Sequence, residues 1–174
     1  MAQNLKTLRF QGEFTRQTDI TPYAAQDVVG PTSSGTTALT LTPLNADGTV
    51  SDNIKLAGSY QVKSVKLTKS TTSTANASFD VYLYSSGVVM DYQDNQQFGL
   101  AYKNKHVRHG KVSLTMATGG STNSDCAEAV ATDVNLLIKA ASGTLSYTVV
   151  ATAAYTPGVS EKFYLEVELV EINA

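Results

Sequence analysis

The two histidines of the chain, His106 and His109, fall together in Lys103-Asn104-Lys105-His106-Val107-Arg108-His109-Gly110-Lys111. Catalysis by nucleophile and base needs an imidazole near a Ser, Thr or Cys, with a third group to orient the ring. This run holds no carboxylate, so the local sequence supplies no orienting acid. Spaced three apart, the two rings would not share a strand face, and with one remote Cys they fall short of the three or four ligands zinc wants. Cys126 lies among Asp125 and Glu128, acids that would not lower a thiol pKa, and reads as an incidental thiol. Glu166 and Glu168 share one face of a strand, as a sugar-cleaving carboxylate pair could, yet they follow Lys162 and precede Glu171 in the ordinary pattern of a solvated outer face. Gly119-Gly120 has no Lys-Ser/Thr after it to complete a phosphate cradle. The expectation is therefore no catalytic residue, no metal site and no cofactor.

The elements that would position such residues are strands. Among 174 residues there are 22 Thr and 16 Ser, while charged residues make up only 16%, against a usual value of about a quarter. Hydroxyl side chains thus cover much of the surface that Lys and Glu usually cover, and Thr, being β-branched, suits a pleated sheet. Alternation of apolar and polar residues marks half-buried strands: Leu8, Phe10 and Phe14 alternate with Arg9, Gln11 and Glu13. Phe79, Val81 and Leu83 alternate with Asp80, Tyr82 and Tyr84, and Phe163, Leu165, Val167 and Leu169 with Lys162, Tyr164, Glu166 and Glu168. Weaker alternation runs through Val65 and Leu67, Lys111 to Met116, Val134 to Ile138 and Leu145 to Ala151. Turn signals such as Asp47-Gly48, Ser85-Ser86-Gly87 and Ser142-Gly143 separate them, and no apolar stripe keeps helical spacing. The fold expected is all-β, a single antiparallel β-sandwich, jelly-roll-like, over residues 9–174, with an N-terminal arm over 1–8. Pro31 to Leu44 and Lys69 to Ala77 read as loops, and Asp94 to Tyr102 as a loop with at most one helical turn.

A net charge of −2, from 13 basic and 15 acidic residues, makes no field for nucleic acid or an anionic membrane. No apolar run approaches the length that spans a bilayer, and Met1 to Lys6 lacks signal-peptide order, so the expectation is a chain made in a cytoplasm with no membrane partner. Against that background Lys103 to Lys111 stands out. It could be a solvated strand end, an electrostatic contact for an acidic partner surface, or a phosphate contact, the last without the aromatic residues that single-strand binding favours.

Read in order, the motifs resemble a family of head decoration or cement proteins encoded beside the major capsid protein of tailed bacteriophages. The likeness is carried by Thr21-Pro22-Tyr23-Ala24-Ala25-Gln26-Asp27-Val28-Val29-Gly30, by Gly58 to Leu67, and by Phe79-Asp80-Val81-Tyr82-Leu83-Tyr84. Asp94-Asn95-Gln96-Gln97-Phe98 with Gly110 to Leu114, then Ala154-Tyr155-Thr156-Pro157 and Glu161 to Val167, complete it from about Phe10 onward. The resemblance implies a virion structural protein on the outer head surface. It would bind the major capsid protein as a homo-oligomer, a dimer or trimer, without enzymatic activity. The contact is expected at Leu5 and Lys6 of the arm, at Arg9 just after it, and at Lys103, Lys105, His106, Arg108, His109 and Lys111. The basic run departs from the family pattern.

Two other functions fit the composition less well. A host-attachment module could grip glycans through exposed Tyr60, Tyr82, Tyr84 and Tyr92, though without Trp, the commonest flat sugar platform. A glycan hydrolase would need a compact acid or His constellation, which the sequence does not show.

Overall fold

The structure, a computed structural model, describes residues 6–16, 20–31, 36–37, 39–70, 77–85, 89–92, 94–99, 108–116, 126–140 and 143–172. Among the described residues twelve strands follow in chain order: β1 (Thr7–Thr15), β2 (Val28–Val29), β3 (Thr36–Thr37), β4 (Leu39–Leu44), β5 (Gly58–Lys69), β6 (Ser78–Ser85), β7 (Val89–Tyr92), β8 (Arg108–Thr115), β9 (Ala127–Thr132), β10 (Leu137–Ala140), β11 (Leu145–Ala151) and β12 (Lys162–Glu171). β1 shows how sequence becomes strand: Leu8, Phe10, Gly12 and Phe14 point inward while Thr7, Arg9, Gln11, Glu13 and Thr15 point to solvent. Thr7 and Leu8, assigned to the arm from sequence, are thus the first residues of β1, and Leu8 is core.

β9 and β10 pair with the same edge of β5, Ala127–Thr132 against Ser64–Lys69 and Leu137–Ala140 against Gly58–Gln61. They are two halves of one interrupted strand. Counting them as one and setting aside the short β2, β3 and β7, eight long strands remain. The first pairs with the last (β1 with β12), the second with the seventh (β4 with β11), the third with the sixth (β5 with β9 and β10), and the fourth with the fifth (β6 with β8). Every pairing is antiparallel, and this nested order is the jelly roll. One sheet runs β9/β10-β5-β12-β1 and the other β4-β11-β6-β8. β4 joins them at a corner, with Thr42–Leu44 on β1 and Leu39–Leu41 on β11. On the opposite side β8 lies against β9 and β10, and Leu136 fills the space that a side chain at Gly110 would need.

Between the sheets lies a continuous core that includes Phe10, Phe14, Val65, Leu67, Phe79, Val149, Phe163 and Leu165. Phe14 stacks on Phe163 at 5.1 Å, and Phe79 meets Phe163 edge-on at 5.5 Å and Tyr155 at 5.3 Å. Each large apolar side chain so enclosed contributes about 1.5–3 kcal/mol.

Two expectations change. Leu39 to Leu44, read as loop, is strand β4, because Leu39 and Leu41 lean on the core while Thr40 and Thr42 face out. β6 and β11, read as half-buried, are buried on both faces. Their outer side is covered by a second cluster, in which Phe98 and Val28 pack on Tyr82, Tyr84 and Val150. The segment from Asp94 keeps to the expected loop: its described residues begin with a turn that places Asn95 at φ +59° and include no helix. Among the described residues no helix is long and apolar enough to cross a membrane.

Candidate docking surfaces and a buried polar latch

Leu5, Lys103, Lys105 and His106 lie outside the described residues, and the structure places the other expected contact residues on different sheets. Lys6 and Arg9 stand on the β1 side of the first sheet, both exposed. Arg108, His109 and Lys111 lie on β8, at the far edge of the second. The Arg108 guanidinium sits 5.6 Å and the Lys111 ammonium 6.0 Å from the centre of the Tyr82 ring. Lys111 also donates to Asp80 Oδ2, while Ser113 donates to Asp80 Oδ1 at 2.6 Å. The hydrogen bond that Lys111 donates to the Asp80 carboxylate raises the Lys111 pKa, so this cation is anchored to a buried countercharge. His109 is half-buried beside the Ser85 hydroxyl, 3.4 Å from Nε2, and burial lowers its pKa.

The outer face of the first sheet carries several charged side chains, among them Arg9, Glu13, Lys66, Glu128, Glu166 and Glu168. Strand register sets its side chains in rows. Leu44, Arg9, Glu168, Ser64 and Thr132 form one row; Thr42, Gln11, Glu166, Lys66 and Val130 the next; Glu13, Tyr164, Thr68 and Glu128 the third. A bulge helps arrange the first, because Glu168 faces Ser64 while Leu169 faces Val62, leaving Lys63 as the extra residue. Glu168 then accepts from Lys63 at 3.3 Å and from Ser64 at 3.4 Å. Lys66 pairs with Glu128 at 3.2 Å, and that hydrogen bond raises the Lys66 pKa. Exposed pairs like these are worth about 0–1 kcal/mol each and matter more for complementarity than for stability. Glu166 and Glu168 therefore sit among cations on an open face, as the sequence pattern suggests.

One end of the sandwich holds a polar constellation that sequence reasoning missed. The Arg16 Nε–H donates to the Tyr23 hydroxyl at 2.6 Å, and that hydroxyl donates to Asp94 Oδ1 at 2.6 Å. The Gly30 N–H donates to the same oxygen at 2.9 Å, and the Arg16 guanidinium lies 3.6 Å from Asp94 Oδ2. Burial, then the Asp94 carboxylate, raises the Tyr23 pKa. Alongside, Lys69 and Glu161 form a fully buried ion pair at 3.2 Å, with the Lys69 ammonium 5.5 Å from the centre of the Tyr155 ring. Tyr155 stacks on Tyr23 at 5.5 Å. The backbone completes the lock: Val28 N–H donates to Gln96 O, Asn95 N–H to Val28 O and Phe98 N–H to Gln26 O. Motifs around Tyr23, Asp94, Tyr155 and Glu161, scattered along the sequence, meet here.

Three of the four tyrosines expected to face a glycan do not. Tyr60, Tyr82 and Tyr84 are only 4%, 7% and 2% exposed. Tyr60 bonds the Ala57 backbone, and the other two lie under Phe98. The Tyr92 side chain lies outside the description. Among the described residues no group of three His, Cys, Asp or Glu is placed to hold a metal ion, and Cys126 is a free, partly exposed thiol.

No family model and no curated protein matches the chain. Among solved structures, a chain of the Cyanophage Pam1 capsid asymmetric unit is similar at 14% identity and a TM-score of 0.36, over 97% of this chain and 86% of that one. Eiger TNF from S. frugiperda is similar at 10% identity and a TM-score of 0.33, over 98% and 96%. Likenesses this remote carry no argument about function.

Proposed function

We propose that this chain is a structural protein of a tailed-phage virion that decorates or cements the icosahedral head by binding the major capsid protein, as a homo-oligomer and without catalysis. The observation that carries this reading is the outer face of the first sheet. Its rows of charged, hydroxyl and amide side chains stand on β1, β5, β9 and β12, strands joined by antiparallel ladders, and present a broad polar surface suited to another protein. Two supports stand beside it. The order of sequence motifs resembles that of head decoration proteins, and jelly rolls recur in capsid and lectin domains, a likeness of architecture that leaves function to the surface. Repetition over a shell lets each contact be modest, because many weak contacts add.

The test mixes purified protein with heads lacking it and measures occupancy and heat resistance. Saturable binding that raises the temperature of head disruption is expected. Absence of binding at both low and moderate salt would overturn the reading.

A further inference from the structure

The ladder between β1 and β4 ends at Gln11 and Thr42, where β4 turns away to join β11. Beyond that point the strands part around a cleft of about 440 Å³, lined by Gln11, Glu13, Thr40, Thr42, Tyr164 and Glu166 among others. No Lys or Arg is among its described lining residues. Gly12, the first residue past the ladder, has a buried tyrosine directly beneath it: a methyl at position 12 would meet the Tyr147 hydroxyl at 2.7 Å. Tyr147 is 1% exposed, and its hydroxyl has no hydrogen-bond partner among the described residues. Burial, then the Glu13 charge, raises its pKa, so the hydroxyl lies within the field of that carboxylate.

We propose that this cleft is a binding site for a guanidinium group, the side chain of an arginine on an extended segment of the partner protein. The chemistry follows from what the walls offer. Two carboxylates and a side-chain amide oxygen accept hydrogen bonds, as can the threonine and tyrosine hydroxyls. A guanidinium has five donors and no acceptor, and its planar fork matches carboxylates better than an ammonium does. The parted ladder also leaves Gly12–Thr15 without a strand partner on the β4 side among the described residues, so an extended segment has room to lie there. The proposal rests on the docking reading for the identity of the partner, while the guanidinium site stands on the cleft itself.

The experiment titrates N-acetyl-arginine amide into isotope-labelled protein and follows backbone amide shifts by NMR. N-acetyl-lysine amide and N-acetylglucosamine serve as comparison probes. Shifts centred on Gly12, Glu13, Thr40 and Thr42, stronger for the arginine probe than for either other, are expected. The pair Glu13→Gln and Glu166→Gln, both exposed, should weaken the arginine probe about threefold to tenfold without unfolding the protein. Shifts scattered over all exposed carboxylates, an equal or larger response to the sugar, or affinity unchanged in the double variant would overturn the site. So would self-association of the wild-type chain that the double variant abolishes, since the cleft would then hold a second copy. Docking to heads separates the two readings. If wild-type protein docks and the double variant docks equally well, the cleft is not the capsid contact and the partner assignment falls. If wild-type protein does not dock at all, the head reading falls, and the arginine titration decides the site alone.

Discussion

The Tyr23 hydroxyl stands between Arg16 and Asp94, accepting from one and donating to the other at 2.6 Å each. It joins the end of β1 to the segment after β7, two regions with β2 to β7 between them in the chain. Tyr23→Phe removes that shared hydroxyl and should cost about 1–3 kcal/mol. Asp94→Ala also removes the acceptor of Gly30 and a countercharge of Arg16, and should cost about 3–5 kcal/mol. Urea denaturation measures both, and a smaller loss for Asp94→Ala than for Tyr23→Phe would contradict the arrangement.

Lys69 and Glu161 give a second stability test, because both charges are fully enclosed. Removing one strands the other, so Lys69→Met alone should cost about 3–5 kcal/mol. Lys69→Met combined with Glu161→Leu should cost much less than the sum of the singles. A double-mutant cycle reads the coupling directly, and additive losses would count against it.

Phe98 is the lid over the outer face of β6. Phe98→Ala should lower stability by about 2–4 kcal/mol and speed hydrogen exchange in Tyr82 and Tyr84 more than in β1. Equal effects in both strands would argue that the segment covers nothing.

His109 sets a pH dependence. Burial lowers its pKa from the ordinary 6.5, so the folded state holds it neutral where the unfolded state takes up a proton. The stability this group contributes is present above about pH 6.5 and falls as pH drops below it. Comparing wild type with His109→Gln by urea unfolding at pH 7.5 and 5.5 isolates the effect. The wild type should lose more on acidification.

The basic run is tested by docking. Replacing Lys103, Lys105 and Arg108 by Ala should weaken attachment to heads and flatten its salt dependence. Lys111→Ala tests something else, since its partner is Asp80 in the same chain. That variant should lose folding stability more than attachment. Unchanged docking in the triple variant would return the run to an ordinary solvated strand end.

Much of the jelly roll could be read from alternation. The phase of Leu8 to Phe14 and of Phe163 to Leu169 survives residue by residue in β1 and β12, because one face of each packs on the core and the other meets water. Alternation misled at β6, where Tyr82 and Tyr84 fall on the polar phase and yet are buried, since the sequence has no local sign that Phe98 folds over them. β4 was hidden by its Thr and Pro content, which resembles a loop until β1 and β11 supply partners. The surface was less legible than the core. Lys6 and Arg9 are separated from Arg108 and Lys111 by the β4 corner, and only strand order reveals it. The Arg16–Tyr23–Asp94 latch had no spacing signature at all, because its members meet through long loops.

The nesting of β1 against β12 along its whole length has a consequence for how the protein comes into being. During synthesis β1 emerges first and must wait for β12, leaving its edge open to wrong partners meanwhile. Sheets closed by such distant pairings form in about milliseconds to seconds, slowly for a chain this size. Crowded nascent copies would have time to exchange strands, and the charges of Arg9 and Glu13 on the outer face of β1 make its waiting edge a poorer partner for them.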